Sequence, residues 1–165
     1  PAPCRKMIKD AIDLIMTKGE DDVIEFIENS RKEFKSLTPE QIAFPRSVSE
    51  INKWVSRTQM YNKGVPFHVR GAILYNHYTK KAGLDKKYPA IQSGEKIKFF
   101  YLKVPNPIQE NVMAFIQDFP RELGLDKYID YDTQFDKSFL EPMKIILDSI
   151  GWAVEKKVSL ESFFS

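Results

Sequence analysis

Lys63-Gly64-Val65-Pro66-Phe67-His68-Val69-Arg70-Gly71-Ala72-Ile73-Leu74-Tyr75-Asn76-His77-Tyr78-Thr79-Lys80-Lys81 is the stretch around which the rest of the chain is organised. It opens with a Gly and a Pro, then settles into an amphipathic helical pattern with Val69, Ala72, Ile73 and Asn76 on one face and Gly83 as its stop. A helix entered through Pro66 leaves its first N–H groups without intrahelical partners and with partial positive charge. Lys63 and Arg70 flank that end, Gly64 permits close approach of the backbone, and His68 reads equally as an added ring donor or as a half-buried ring satisfied by a carbonyl. Such an end suits a phosphate, and a phosphate held there is gripped without any base being read.

Charge sharpens this expectation. The 165-residue chain carries a net charge of only +2. Residues 51–103, however, hold 11 Lys/Arg against 2 Asp/Glu, while residues 1–50 hold 8 against 10 and residues 104–165 hold 6 against 11. A basic middle third between acidic flanks is the pattern of a localised polyanion site. A solvated lysine-rich surface is the plainer alternative.

On the N-terminal side, Pro3 can seat a first helical turn. Ile8, Ala11, Ile12 and Ile15 then recur at helical spacing up to Gly19. Glu20, Asp21 and Asp22 start a second helix carrying Val23, Phe26, Ile27 and Phe34, which Thr38-Pro39-Glu40 punctuates. The short connection predicts an antiparallel helical hairpin. Ile42 to Arg46 reads as an edge strand because of Pro45, and Ser49 as the cap of a short helical turn through Ile51 and Trp54.

On the C-terminal side, Lys96 to Lys103 reads as an aromatic strand and Val112 to Ile116 as a second, joined as a hairpin by a long Pro-containing loop. A last long helix runs from Asp132 to Gly151, with Phe135, Phe139, Met143, Ile146, Leu147 and Ile150 on one side and a kink expected at Pro142. The class is α+β: a helical hairpin, then a small antiparallel sheet and a long C-terminal helix. Lys96 and Lys98 share one face of their strand and extend the basic surface, pointing to a groove between the helix end and the strand; sheet-edge protection is the alternative for these lysines.

Several functions are disfavoured. No Gly-rich phosphate loop is present. One Cys and two His do not make an ordinary structural zinc site, and the single Cys4 forms no internal disulfide, which fits a reducing compartment. No apolar run approaches the roughly 20 residues of a membrane span, and no signal peptide is apparent. Asp126, Asp130 and Asp132 could bind Mg²⁺, but their spacing lacks the Gly and closing Glu of a calcium loop, and a solvated helix start is the preferred reading. No catalytic constellation is visible. Beginning at Pro-Ala-Pro and not at Met, the chain is expected to be a fragment, a processed product or the end of a longer polypeptide.

The tail reads as a separate module, with residues 1–155 as the domain and 156–165 as a peptide. Leu160, Phe163 and Phe164 fall on one face of a single helical turn, an arrangement suited to another protein's apolar pocket; the alternative is that Phe163 and Phe164 fold back onto the domain.

These pieces together resemble a known family. Lys63 to Gly71 resembles the Pro-x-His-Val segment in the thumb of family B DNA polymerases. Asp132 to Pro142 resembles the C-terminal thumb helix of those enzymes in T-even-type bacteriophages, and Ser159 to Ser165 is similar to the peptide by which they dock on the sliding clamp. The resemblance implies a thumb that grips primer–template duplex, with phosphate contacts at Lys63, Arg70 and Lys137, Gly64 and His68 within the motif, and Leu160, Phe163 and Phe164 as clamp anchors. Lys96 and Lys98 join the DNA-binding set on charge alone. Two positions depart from the pattern: Glu141 stands where relatives can carry a basic residue, and Lys157 where broader clamp-binding peptides favour Gln. The resemblance further implies palm and fingers as partners, on the same polypeptide or on a separate subunit. Mg²⁺ is implied for the palm and no cofactor for this chain, which is expected to be inactive alone. The implied setting is the cytoplasm of an infected bacterium. The alternative is an independent nucleic-acid- or protein-binding module.

Overall fold

The computed structural model describes residues 1–155. They fall into two compact units, one formed by Thr38–Gln134 and the other by Ala2–Leu37 with the chain from Phe135 onward. The α+β class and the expected order of helical hairpin, small antiparallel sheet and C-terminal helix are what the structure shows.

The first unit is built on a three-stranded antiparallel sheet in the order β1 (Phe44–Ser47), β2 (Lys96–Tyr101), β3 (Val112–Phe115). Phe44 faces Phe99, and Phe99 faces Ala114, so these three share one side; Pro45, Lys98 and Phe115 share the other. After two short helices, α3 (Pro39–Ile42) and α4 (Ile51–Trp54) in the numbering used here, the long α5 (Phe67–Lys81) packs on the Ala114 side. Gly71 makes this close approach possible: a Cβ there would lie 3.1 Å from Val112 Cγ2 and 3.3 Å from the Ala114 backbone nitrogen. On the opposite side, Phe100, Phe115 and Phe119 pack ring to ring, with Phe100 and Phe119 edge-on at 4.9 Å. α5 buries more than the stripe its periodicity marks, since Gly71, Leu74, Tyr75 and Thr79 are buried as well as Val69, Ala72 and Ile73.

Buried and half-buried amides tie the connecting segments down, as shielded polar groups require. Asn76 pairs with Ile91 through both its amide atoms, donating to the Ile91 carbonyl at 2.9 Å and accepting from the Ile91 N–H at 2.7 Å. Gln134, fully buried, accepts from Tyr101 N–H at 2.8 Å and donates to the Ile42 carbonyl at 2.9 Å. Asn106 knits the loop between β2 and β3, donating to the carbonyls of Lys103 at 2.8 Å and Glu110 at 2.7 Å.

Two local expectations are corrected. Thr38-Pro39-Glu40 punctuates α2 but also opens α3, because the Gln41 side chain reaches back to Thr38 N–H at 2.9 Å. Ser49 does not cap α4: Glu50 occupies that position in the left-handed region at φ 53°, and Ser93, 42 residues away, accepts from Ile51 N–H at 3.0 Å.

The second unit contains the helical hairpin α1 (Ala2–Thr17) and α2 (Glu20–Phe34), joined at Gly19. Its other part belongs to a helical run formed by α6 (Tyr131–Phe135), a π-helical segment Asp136–Leu140 and α7 (Glu141–Ser149). Phe135 meets Phe34 edge-on at 5.3 Å and Phe139 at 5.0 Å, and Cys4 Sγ donates to Ser138 Oγ at 3.3 Å. A π turn lies just before Pro142, where a kink is expected. Proline removes the bond that its N–H would make one turn back and crowds that carbonyl; a wider turn relieves both. The π turn also sets the phase. Phe135, Phe139, Met143 and Leu147 are buried at a constant spacing of four, which drifts by about 40° per step on an α-helix of 3.6 residues per turn. Ile150, expected on that face, is 46% exposed.

Candidate nucleic-acid interface

The N-terminal end of α5 is laid out by three local features. Gly64 lies in the left-handed region at φ 86°, in the turn that brings the chain into Pro66; only glycine adopts this without strain. Pro66 is the N-cap residue, and no side chain caps the helix. Its first-turn N–H groups are therefore left without a side-chain cap and carry partial positive charge. Lys63 stands exposed in the same turn, without an ion-pair partner among the described residues.

Arg70 is placed differently. One guanidinium nitrogen contacts Glu110 at 3.4 Å and the other donates to the Asn111 side chain at 2.8 Å. The rings of Phe67 and Tyr61 flank it at 5.2 and 5.8 Å. Tyr61 donates a 2.6 Å hydrogen bond to the other oxygen of Glu110. That bond, aided by burial, raises the Tyr61 pKa above its usual value. Arg70 is thus within the expected region, but its charge is already engaged by a carboxylate.

His68 is half-buried against Phe99, ring centroids 6.3 Å apart. Burial, then the neighbouring Arg46 charge, pushes its pKa below the ordinary value, with a hydrogen bond from the ring to the Ser47 backbone opposing. It is therefore a neutral ring at neutral pH, not an additional cation.

Lys96 is exposed and Lys98 half-buried. The register puts them on the face opposite the one that α5 covers. A single groove walled by α5 and this lysine pair is therefore not what the sheet builds. Lys137 is exposed on the π-helical segment of the second unit. Leu160, Phe163 and Phe164 lie outside the described residues.

Other groups in the neighbourhood carry no motif. Arg57, His77 and Lys80 line a cavity of about 430 Å³ between the 55–60 loop and the outer side of α5. The basic segment around them signals the charge of Arg57 and Lys80 but not that these side chains line one cavity. Glu110 and Asn111 reach Arg70 from 40 and 41 positions away, and nothing local in the sequence signals this. Among the described residues, no three His, Cys, Asp or Glu side chains come together to hold a metal ion. Asp130, one of the alternating aspartates, accepts from Thr133 N–H at 3.1 Å and from its hydroxyl at 2.7 Å, as a helix-start side chain does. No helix among the described residues is long and apolar enough to cross a membrane.

Comparison with known proteins gives the class first. No family model matches the chain, but over nearly its whole length it is similar to phage DNA-directed DNA polymerases, in line with the resemblance read from its motifs. The relatives are the DNA-directed DNA polymerase of Enterobacteria phage T4, 29% identical over 168 residues, and that of Escherichia phage RB69, 28% identical over 175 residues. Each match takes in 99% of this chain and 18% of the relative, so the chain spans less than a fifth of the polymerases it matches.

Proposed function

We propose that this chain is the thumb part of a family B DNA polymerase of a T-even-type bacteriophage, acting in the cytoplasm of the infected bacterium. The observation that carries the proposal is the end-to-end similarity to two phage DNA polymerases, each of which is several times longer. Its part is to hold primer–template duplex through phosphates while the palm and fingers, on the same or a separate polypeptide, perform nucleotide addition with Mg²⁺. Alone it is inactive.

The geometry supports a phosphate grip. The uncapped end of α5 beside Lys63 offers N–H donors and a charge to one phosphate. Gly64 sets the turn that presents them, and His68 contributes a neutral ring. Arg70 supplies a guanidinium fork suited to a phosphate. Lys96 and Lys98 supply charge from the other face of the sheet, and Lys137 from the second unit. These contacts touch no base edge, so binding is indifferent to sequence and falls steeply with salt. Leu160, Phe163 and Phe164 tether the polymerase to the sliding clamp, raising its effective concentration on DNA.

Titration of labelled primer–template duplexes of unrelated sequence over a salt series tests this. Equal affinities are expected for all sequences. Lys63→Ala should weaken every duplex alike and reduce the slope of log K against log salt by about 1. No binding at low salt, with or without the palm-bearing portion, would overturn the proposal.

A further inference from the structure

Residues 51–103 are strongly basic, yet the Arg70 guanidinium inside that segment does not stand open. Glu110 and Asn111 meet it from the β2–β3 loop. Asn106 secures that loop by holding the Glu110 carbonyl at 2.7 Å, and Tyr61 holds the carboxylate itself at 2.6 Å. The pair is only partly shielded, with 23% of the Arg70 side chain and 15% of the Glu110 side chain exposed.

We propose that Glu110 is a built-in stand-in for a DNA phosphate on Arg70, so that duplex binding proceeds by exchange of this carboxylate for a phosphate. The inference rests on the thumb reading and adds a residue that positions one of its contacts and sets their strength.

Three observations carry it. The Arg70–Glu110 contact is a single long one at 3.4 Å, whereas a guanidinium and a carboxylate at full strength engage through two short parallel bonds. The Asn111 bond takes one further N–H, so the five-donor fork keeps capacity for an incoming oxyanion. Finally, Glu110 keeps a partner when Arg70 leaves, because Tyr61 donates to its other oxygen. A carboxylate otherwise left unpaired in a half-buried site would oppose the exchange; the tyrosine hydroxyl removes much of that opposition. Before DNA arrives, Glu110 stops the arginine from acting as a free cation and holds it between the Phe67 and Tyr61 rings.

The test is a double-mutant cycle on the full chain, read as affinity for a labelled primer–template duplex at one low salt concentration. Glu110→Gln keeps the shape and the oxygen that Tyr61 bonds but removes the competing charge. It should tighten binding roughly 2- to 5-fold, the size of a partly exposed ion pair. In an Arg70→Ala background, less than half of that gain should remain. Tyr61→Phe, which removes only a hydroxyl, gives an independent reading: without its second partner Glu110 holds Arg70 harder, so binding weakens, and the weakening again requires Arg70. This variant carries the test if Glu110→Gln does not fold. An equal gain with and without Arg70 would reduce Glu110 to one more charge in the general field and overturn the exchange. So would no gain in the chain that retains Arg70, or a Tyr61→Phe effect independent of Arg70. If the unsubstituted chain fails to bind duplex at all, the thumb reading falls and this inference with it; if it binds and the coupling is missing, only the exchange falls.

Discussion

Tyr75 is buried on α5, and its hydroxyl donates to the Pro89 carbonyl at 3.2 Å. Burial, helped by Tyr88 and Glu95, pushes its pKa up to about 12. The unfolded chain ionises near the ordinary tyrosine value of about 10. Between these values the unfolded state has given up its proton while the native state keeps it, so stability falls as pH rises. The contribution is fully present below about pH 10 and is lost by about pH 12. Chemical-denaturant titrations across that window should show the decline, and Tyr75→Phe should flatten it while costing about 1 kcal/mol at neutral pH for the lost hydrogen bond. At this scale the candidate site was half legible. Lys63 and Gly64 are where the turn signals put them, because a Gly in a left-handed turn and an exposed Lys answer to local rules. Arg70 and His68 were named from the sequence, but their electrostatic states were not. Those states depend on Glu110 and Arg46, which only the tertiary fold brings near.

Gly71 shows how an element can depend on the absence of a side chain. Alanine is the better helix former by about 1 kcal/mol, yet here its methyl would press on Val112 and on the backbone of Ala114 in the sheet. Overfilling a packed contact costs about 1–3 kcal/mol. Gly71→Ala should therefore destabilise the chain by about 1 kcal/mol net, measurable as a lower urea midpoint at unchanged m-value. The order of elements was readable because periodicity and breakers are local: Gly19 parts α1 from α2, and Gly151, at φ 76°, follows the last helix. What escaped depends on distance or phase. The cap of α4 comes from Ser93. The four-residue spacing of Phe135, Phe139, Met143 and Leu147 looks like an ordinary amphipathic stripe until a π turn is seen to absorb its drift. The lysine pair Lys96 and Lys98 was placed correctly on one face of its strand, but which face α5 would cover follows from Gly71 and could not be read from alternation alone.

At the scale of the molecule, the helical unit draws on both ends of the described chain, while Thr38–Gln134 is continuous. The proposed division of labour gives DNA to the charged surfaces and the clamp to the last residues. Phe163→Ala combined with Phe164→Ala should accordingly abolish clamp binding in a pull-down or by calorimetry while leaving affinity for primer–template duplex unchanged. Loss of both together would deny the tail a separate role. The pair of hydrogen bonds between Asn76 and Ile91 bears on how such a chain tolerates change. An amide side chain there does what a neighbouring strand does, offering a donor and an acceptor to one residue of an otherwise irregular segment. The segment after α5 is thereby pinned at position 91, before it enters β2. The register of the sheet is consequently most sensitive to length beyond this point: a single residue gained or lost between Ile91 and Lys96 would tend to move the aromatics of β2 to the wrong side.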